Sequence, residues 1–311
     1  MNPLLAKEIS GVWATLMVPL SADNSIDFAA LSEEIDYLLA SKVSGIYSNG
    51  TAGEFYNQNE NEFDRISQLL AEKCEGASMP FQIGCSHMSP QISLERLERV
   101  KALKPSAVQV ILPDWMPMDF REVIDFLEKM AAYASPVGLV LYNPPHAKQV
   151  LNPHQWERLL GKGIQLVGCK VAGGDSEWYK AMGGIMEKIA VFVPGHRLAT
   201  GISHGAQGSY SNVACLNPVA ARRWYENMVV DLQGALILEK RILRFFEEAI
   251  FPYIINQGYS NTAVDKFLAA VGGWGPISTK VRWPYKSIPK EEVTRGRKIA
   301  KKLIPEFINE L

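Results

Sequence analysis

Short apolar, β-branched runs alternate along this chain with amphipathic stretches of helical length. The runs predict strands at residues 12–17, 45–48, 81–84, 107–112, 137–142, 165–170, 190–193 and 207–211. The stretches between them predict helices at 27–40, 60–73, 93–103, 120–133, 153–160, 176–186, 198–203 and 220–231. Strands alternating with helices imply a parallel sheet. The fourth run, Ala-Val-Gln-Val-Ile-Leu, is nearly all apolar, as expected of a strand covered on both faces. Eight such units close into a (β/α)8 TIM barrel of the α/β class. An open doubly wound sheet is the alternative. It would announce a nucleotide with a glycine-rich loop after its first strand, and Met17-Val18-Pro19-Leu20-Ser21 is no such loop.

Helix starts support the count. Asp27 and Asn59 precede apolar-periodic stretches as N-caps, and Asn152-Pro153 joins an N-cap to a proline at the first helical position. Beyond about residue 233 the strand signals stop. Helices are expected there at 236–255, 262–271 and 290–309, interrupted by Gly272-Gly273-Trp274-Gly275-Pro276. The reading is a catalytic barrel over residues 1–232 with a C-terminal helical segment, 233–311, packed against it.

Composition narrows the function. The 311 residues are 47% hydrophobic and 21% charged, an ordinary globular profile. With 32 basic and 33 acidic side chains, nothing is left over to neutralise a phosphate backbone, so neither nucleic acid nor a membrane surface is expected as a partner. Cys74, Cys85, Cys169 and Cys215 form no CxxC pair and suit buried free thiols in a reducing compartment. With no signal-peptide pattern and no run of transmembrane length, the expected location is cytoplasmic. The histidines, His87, His146, His154, His196 and His204, show no HxH or HExxH spacing, so no metal is expected.

In a barrel of this kind the chemistry lies at the C-terminal ends of the strands. The second strand ends in Ser48-Asn49-Gly50-Thr51-Ala52-Gly53-Glu54, where two glycines around a hydroxyl residue make a tight turn with backbone N–H groups suited to a carboxylate. A plain turn is the competing reading. The fifth strand ends in Tyr142-Asn143-Pro144-Pro145, which leaves the tyrosine at the rim, for packing or for chemistry. The sixth ends in Gly168-Cys169-Lys170. Lysine is rare inside a strand pattern unless it reaches solvent or has a partner. A lysine in the barrel mouth, shielded from water, can present the neutral amine that attacks a ketone, whereas one at the outer rim would only snorkel.

These motifs, in this order and near-family spacing, resemble the N-acetylneuraminate lyase / dihydrodipicolinate synthase superfamily of class I Schiff-base aldolases and lyases over essentially the whole chain. Gly50-Thr51-Ala52-Gly53-Glu54 is similar to the family's GTTGE loop, Tyr142-Asn143-Pro144-Pro145 to its YNxP, and Gly168-Cys169-Lys170 to its GxK. Gly205-Ala206-Gln207-Gly208-Ser209-Tyr210-Ser211 resembles GGxGxxS. The resemblance implies that Lys170 is the nucleophile, Tyr142 the acid/base and Thr51 a further catalytic residue. It also implies that Gly50, Thr51, Ala52, Tyr210 and Ser211 contact a small 2-oxo acid such as pyruvate. It implies no cofactor, and a homo-oligomer, tetramer or dimer.

Three departures bear on specificity. Ala52 replaces the loop's second threonine. Trp115, in Leu112-Pro113-Asp114-Trp115-Met116-Pro117, stands where the synthases carry a proton-relaying tyrosine, and Ala147 stands where they carry an arginine for a second carboxylate. The Asn49-Gly50-Thr51 start and the Trp115 segment look more like hydratase-aldolases of arylidene-pyruvates, with Trp115, Met116 and Met118 either lining an apolar pocket or forming a packed rim. The leading expectation is an aldolase-type lyase. A hydro-lyase acting on a keto-deoxy sugar acid through the same lysine and a non-catalytic small-acid sensor are the alternatives. His196, after Pro194-Gly195, is a structural histidine or a contact for a polar substrate group.

Overall fold

The structure, a computed structural model, describes residues 1–308. Eight parallel strands close in sequence order: β1 (Gly11–Thr15), β2 (Gly45–Ser48), β3 (Phe81–Gly84), β4 (Ala107–Ile111), β5 (Gly138–Tyr142), β6 (Leu166–Lys170), β7 (Ala190–Phe192) and β8 (Gly208–Tyr210), with β8 pairing back onto β1. Helices α1 (Phe28–Ser41), α2 (Glu60–Gly76), α3 (Pro90–Lys101), α4 (Phe120–Ala134), α5 (Pro153–Gly161), α6 (Ser176–Met186) and α7 (Leu198–Ser203) connect them. The fold is the expected (β/α)8 barrel. Each strand lies within a residue or two of its expected bounds, because the apolar runs carry both faces of a covered sheet.

The N-caps form as read. Asp27 Oδ1 accepts from the N–H groups of Ala29 and Ala30, and Asn59 and Asn152 each complete a reciprocal capping box, with Glu62 and Gln155. Each cap satisfies N–H groups that a helix start would otherwise leave unpaired, which fixes where the chain turns from rim to helix.

The sequence reading needs two corrections. A five-residue helix, α8 (Asn212–Leu216), follows β8 directly, before α9 (Pro218–Val230). The helix expected at 236–255 is two helices, α10 (Leu232–Ala249) and α11 (Phe251–Ile255), because Pro252 has no N–H to continue the ladder. Then follow α12 (Asn261–Gly272) and α13 (Glu292–Leu303), which stops short of Pro305. The last residue of the helix expected at 290–309, Asn309, lies outside the described residues.

The barrel interior is filled rather than hollow. Trp13, Tyr47, Phe192 and Tyr210 form an aromatic plug with Ile9, Ala107, Val140 and Ala190. Tyr47 meets Tyr210 edge-on at 4.9 Å between centroids, and Phe192 lies 4.6 Å from Tyr210. Gly45 makes room for this plug, since a Cβ there would come within 2.6 Å of the Trp13 ring. All four cysteines are buried and unpaired, and burial pushes their thiols up. No described helix is long and apolar enough to cross a membrane.

Candidate active site

Above the plug lies a cavity of about 250 Å3 at the C-terminal ends of the strands. Its inner wall is set by ladder register. Tyr142 and Lys170 are direct partners across β5 and β6, and Thr15 and Tyr47 are partners across β1 and β2. Partners in a parallel ladder send their side chains to the same face, so register alone brings these groups to the mouth. Lys170 Nζ lies 4.2 Å from the centroid of the Tyr142 ring and 3.2 Å from the Tyr47 hydroxyl. The Tyr47 and Tyr210 rings lie 5.2 and 5.6 Å from the same nitrogen. Three aromatic rings therefore cradle one partly buried amine.

The Gly50–Glu54 loop forms the adjacent wall. Asn49 and Glu54 bracket it in left-handed backbone, and Asn49 Nδ2 donates to Ser67 Oγ of α2. Gly50 lies behind the Tyr47 ring, where a Cβ would come within 2.5 Å, so its place is structural and it does not line the cavity. Thr51 and Ala52 do line it, and their N–H groups donate to no described residue. Two unpaired backbone donors in a cavity that also holds an amine can seat an anion.

The C-terminal segment clamps this loop from outside. Thr262 donates to the Thr51 carbonyl at 2.7 Å and pairs with the Tyr56 hydroxyl at 2.9 Å. Buried Lys266 pairs with Glu54 at 2.6 Å and donates to the Val18 and Lys280 carbonyls, each at 2.9 Å. Desolvation lowers the Lys266 pKa, and the Glu54 charge opposes that shift.

Tyr210 and Ser211 are at the cavity, but their polar atoms are committed. The Tyr210 hydroxyl donates to Gln82 Oε1 at 2.6 Å inside the barrel, so its ring rather than its oxygen meets a ligand, and burial raises its pKa. Ser211 Oγ accepts from the Ala214 N–H as the cap of α8. His196 lines the outer cavity. Asn212 Nδ2 donates to its Nδ1 at 2.8 Å, which leaves the proton on Nε2. The ring stacks on Phe246, 4.8 Å between centroids, and burial lowers its pKa to about 4, so the imidazole is neutral.

Trp115 is not brought to the cavity. It is 72% exposed, and Met116 is exposed beside it, while Met118 packs against the core. Lys148 holds this loop outward: its N–H donates to Asp114, and its ammonium donates to the Trp115 carbonyl and lies over the Trp115 ring. Two residues missed by the sequence reading stand at the cavity instead, Tyr47 and Asp265. Tyr47 carried one faint signal, a phenol in the middle of a buried strand.

Lysine and tyrosine in register at the mouth of a filled eight-stranded barrel place the chain among enzymes that work from their strand ends. Residues 8–303 match the Dihydrodipicolinate synthetase family, and the chain belongs to that family. It is a lyase of the class I aldolase type. The 4-hydroxy-tetrahydrodipicolinate synthase of Anaplasma marginale (strain Florida) is 27% identical over 261 residues, 79% of this chain and 83% of that one. The N-acetylneuraminate lyase of Enterobacter sp. (strain 638) is 25% identical over 142 residues, 45% of this chain and 47% of the lyase. Among solved structures, YagE, a prophage protein of E. coli K12 in complex with pyruvate, superposes with a TM-score of 0.83 at 18% identity, covering 95% of this chain and 98% of YagE.

Proposed function

We propose that this lyase captures pyruvate or a related 2-oxo acid as a Schiff base on Lys170 and makes or breaks the carbon–carbon bond beside it. The observation that carries the reading is that the Tyr142–Lys170 register pair shares one cavity with the unpaired N–H groups of Thr51 and Ala52. A 2-oxo acid presents a carboxylate and a ketone on adjacent carbons. The carboxylate fits the loop donors and the ketone carbon then faces the amine. Once the imine forms, it withdraws electrons from the neighbouring carbon, so no metal is needed. Tyr142 supplies and removes the protons of imine formation.

The second reactant is an aldehyde without a carboxylate of its own. Ala147 offers no cation beyond β5, and the neighbouring Lys148 is spent on the Trp115 carbonyl. The test is borohydride reduction in saturating pyruvate followed by peptide mass mapping. The expected result is a reduced pyruvate adduct on Lys170 that vanishes in Lys170→Ala. An unmodified Lys170 peptide in the wild type overturns the reading.

A further inference from the structure

Asp265 is the one acidic side chain among the described residues that line the cavity. It comes from α12, on the wall opposite the strand ends. Its neighbours in sequence are fully engaged: Thr262 bonds Thr51 and Tyr56, and Lys266 holds Glu54 and two carbonyls. The Asp265 carboxylate, by contrast, accepts no hydrogen bond from any described residue. The side chain is half-buried in the cavity wall, and a carboxylate placed there without a protein donor is left for a ligand to complete. The surrounding outer wall is mostly apolar, formed by Phe246, Ile250, Phe251, Ile254, Val264 and Leu268, with Asn261 and His196 as its polar members.

We propose that Asp265 is a catalytic residue that exchanges a proton with the hydroxyl of a 4-hydroxy-2-oxo acid whose far end is apolar. The assignment rests on the Schiff-base reading above and divides the proton transfers in two. In cleavage, the bond between the carbon next to the imine and the hydroxyl-bearing carbon breaks. Its electron pair moves into the imine to give an enamine. The hydroxyl proton passes to the Asp265 carboxylate, and the hydroxyl-bearing carbon leaves as an aldehyde. Asp265 then returns the proton to the enamine carbon, and water releases pyruvate from Lys170. Condensation is the same sequence reversed, with no oxidant or reductant.

Lys170 from β6, Tyr47 from β2 and Cys215 from α8 line the same cavity as Asp265, and these groups and Tyr56 beside the loop feel its charge. Burial pushes the carboxyl up to about 7, with Lys170 pulling the other way, so it can both take and give a proton near neutrality. The mostly apolar wall selects the rest of the molecule: its six apolar side chains suit an aromatic or branched tail, with His196 and Asn261 left for at most a polar substituent on it.

The experiment uses the full chain with pyruvate and either benzaldehyde or isobutyraldehyde, comparing wild type with Asp265→Asn, an isosteric change. Expected is wild-type labelling of Lys170 by pyruvate and borohydride in the variant, with condensation reduced at least about 100-fold and the rise of kcat with pH through about 7 abolished. A smaller loss with labelling intact overturns the assignment. Loss of labelling in Asp265→Asn alone also overturns it, because Asp265 would then be needed for imine formation. Failure of the wild type to condense either aldehyde overturns the substrate class. Failure of the wild type to label at all removes the Schiff-base reading itself, a distinct outcome.

Discussion

The two walls of the cavity are built by different rules. On the inner wall, Tyr142, Lys170, Thr15 and Tyr47 sit on strand ends, and the ladder converts a position in sequence directly into a position in space. On the outer wall, Phe246, Ile250, Phe251, Ile254, Asp265 and Leu268 come from or between α10, α11 and α12, placed only by how helices pack on the barrel. The inner wall holds the Lys170 amine, beside the loop that carries the unpaired N–H groups of Thr51 and Ala52. The outer wall is mostly apolar and carries a single carboxyl beside His196 and Asn261. Such a division lets one wall keep a fixed reaction while the other changes what is attached to the reacting carbons.

Removing the phenol oxygen in Tyr142→Phe tests the inner wall most severely. Turnover is expected to fall by about 10^2 to 10^4, the usual contribution of a positioned proton donor, while the circular dichroism spectrum is unchanged. Rates within a few-fold of wild type would take Tyr142 off the reaction path. The join between the walls comes next. Lys266→Met leaves Glu54 buried without its partner, and stability measured by urea unfolding should drop by about 3 to 5 kcal/mol. An unchanged midpoint would mean that the clamp does not hold the loop. The smallest effect belongs to the outer wall. Ile254→Ala should lower kcat/KM for benzaldehyde by about tenfold and leave pyruvate labelling of Lys170 untouched. Equal losses in both assays would erase the distinction between the walls.

The same division explains what could be read from the chain itself. Lys170 and Tyr142 were legible at the cavity because each ends an apolar run, and Thr51 because it lies in the turn just after one; a barrel gathers all such ends at one mouth. Tyr47 was not, since a strand buried on both faces hides the alternation that would show which side chains point inward. Asp265 lay inside a helical pattern, where a lone acidic residue ordinarily marks the solvent side. The clue was that Thr262, Ala263, Val264, Lys266, Phe267 and Leu268 are all buried, leaving α12 little solvent side there. Trp115 could be read as pocket lining or as packed rim, and its exposed place in this chain depends on a lysine 33 residues further on, whose ammonium bonds its carbonyl. Contacts of that span leave no local trace.

Because Thr262 and Lys266 reach from α12 to the Gly50–Glu54 turn, the tail cannot be exchanged as a passive cover. Anyone grafting a relative's tail onto this barrel to alter its choice of aldehyde would have to transplant both residues at the same helical positions. Otherwise the new hybrid would gain a pocket and lose the clamp on its own Gly50–Glu54 turn.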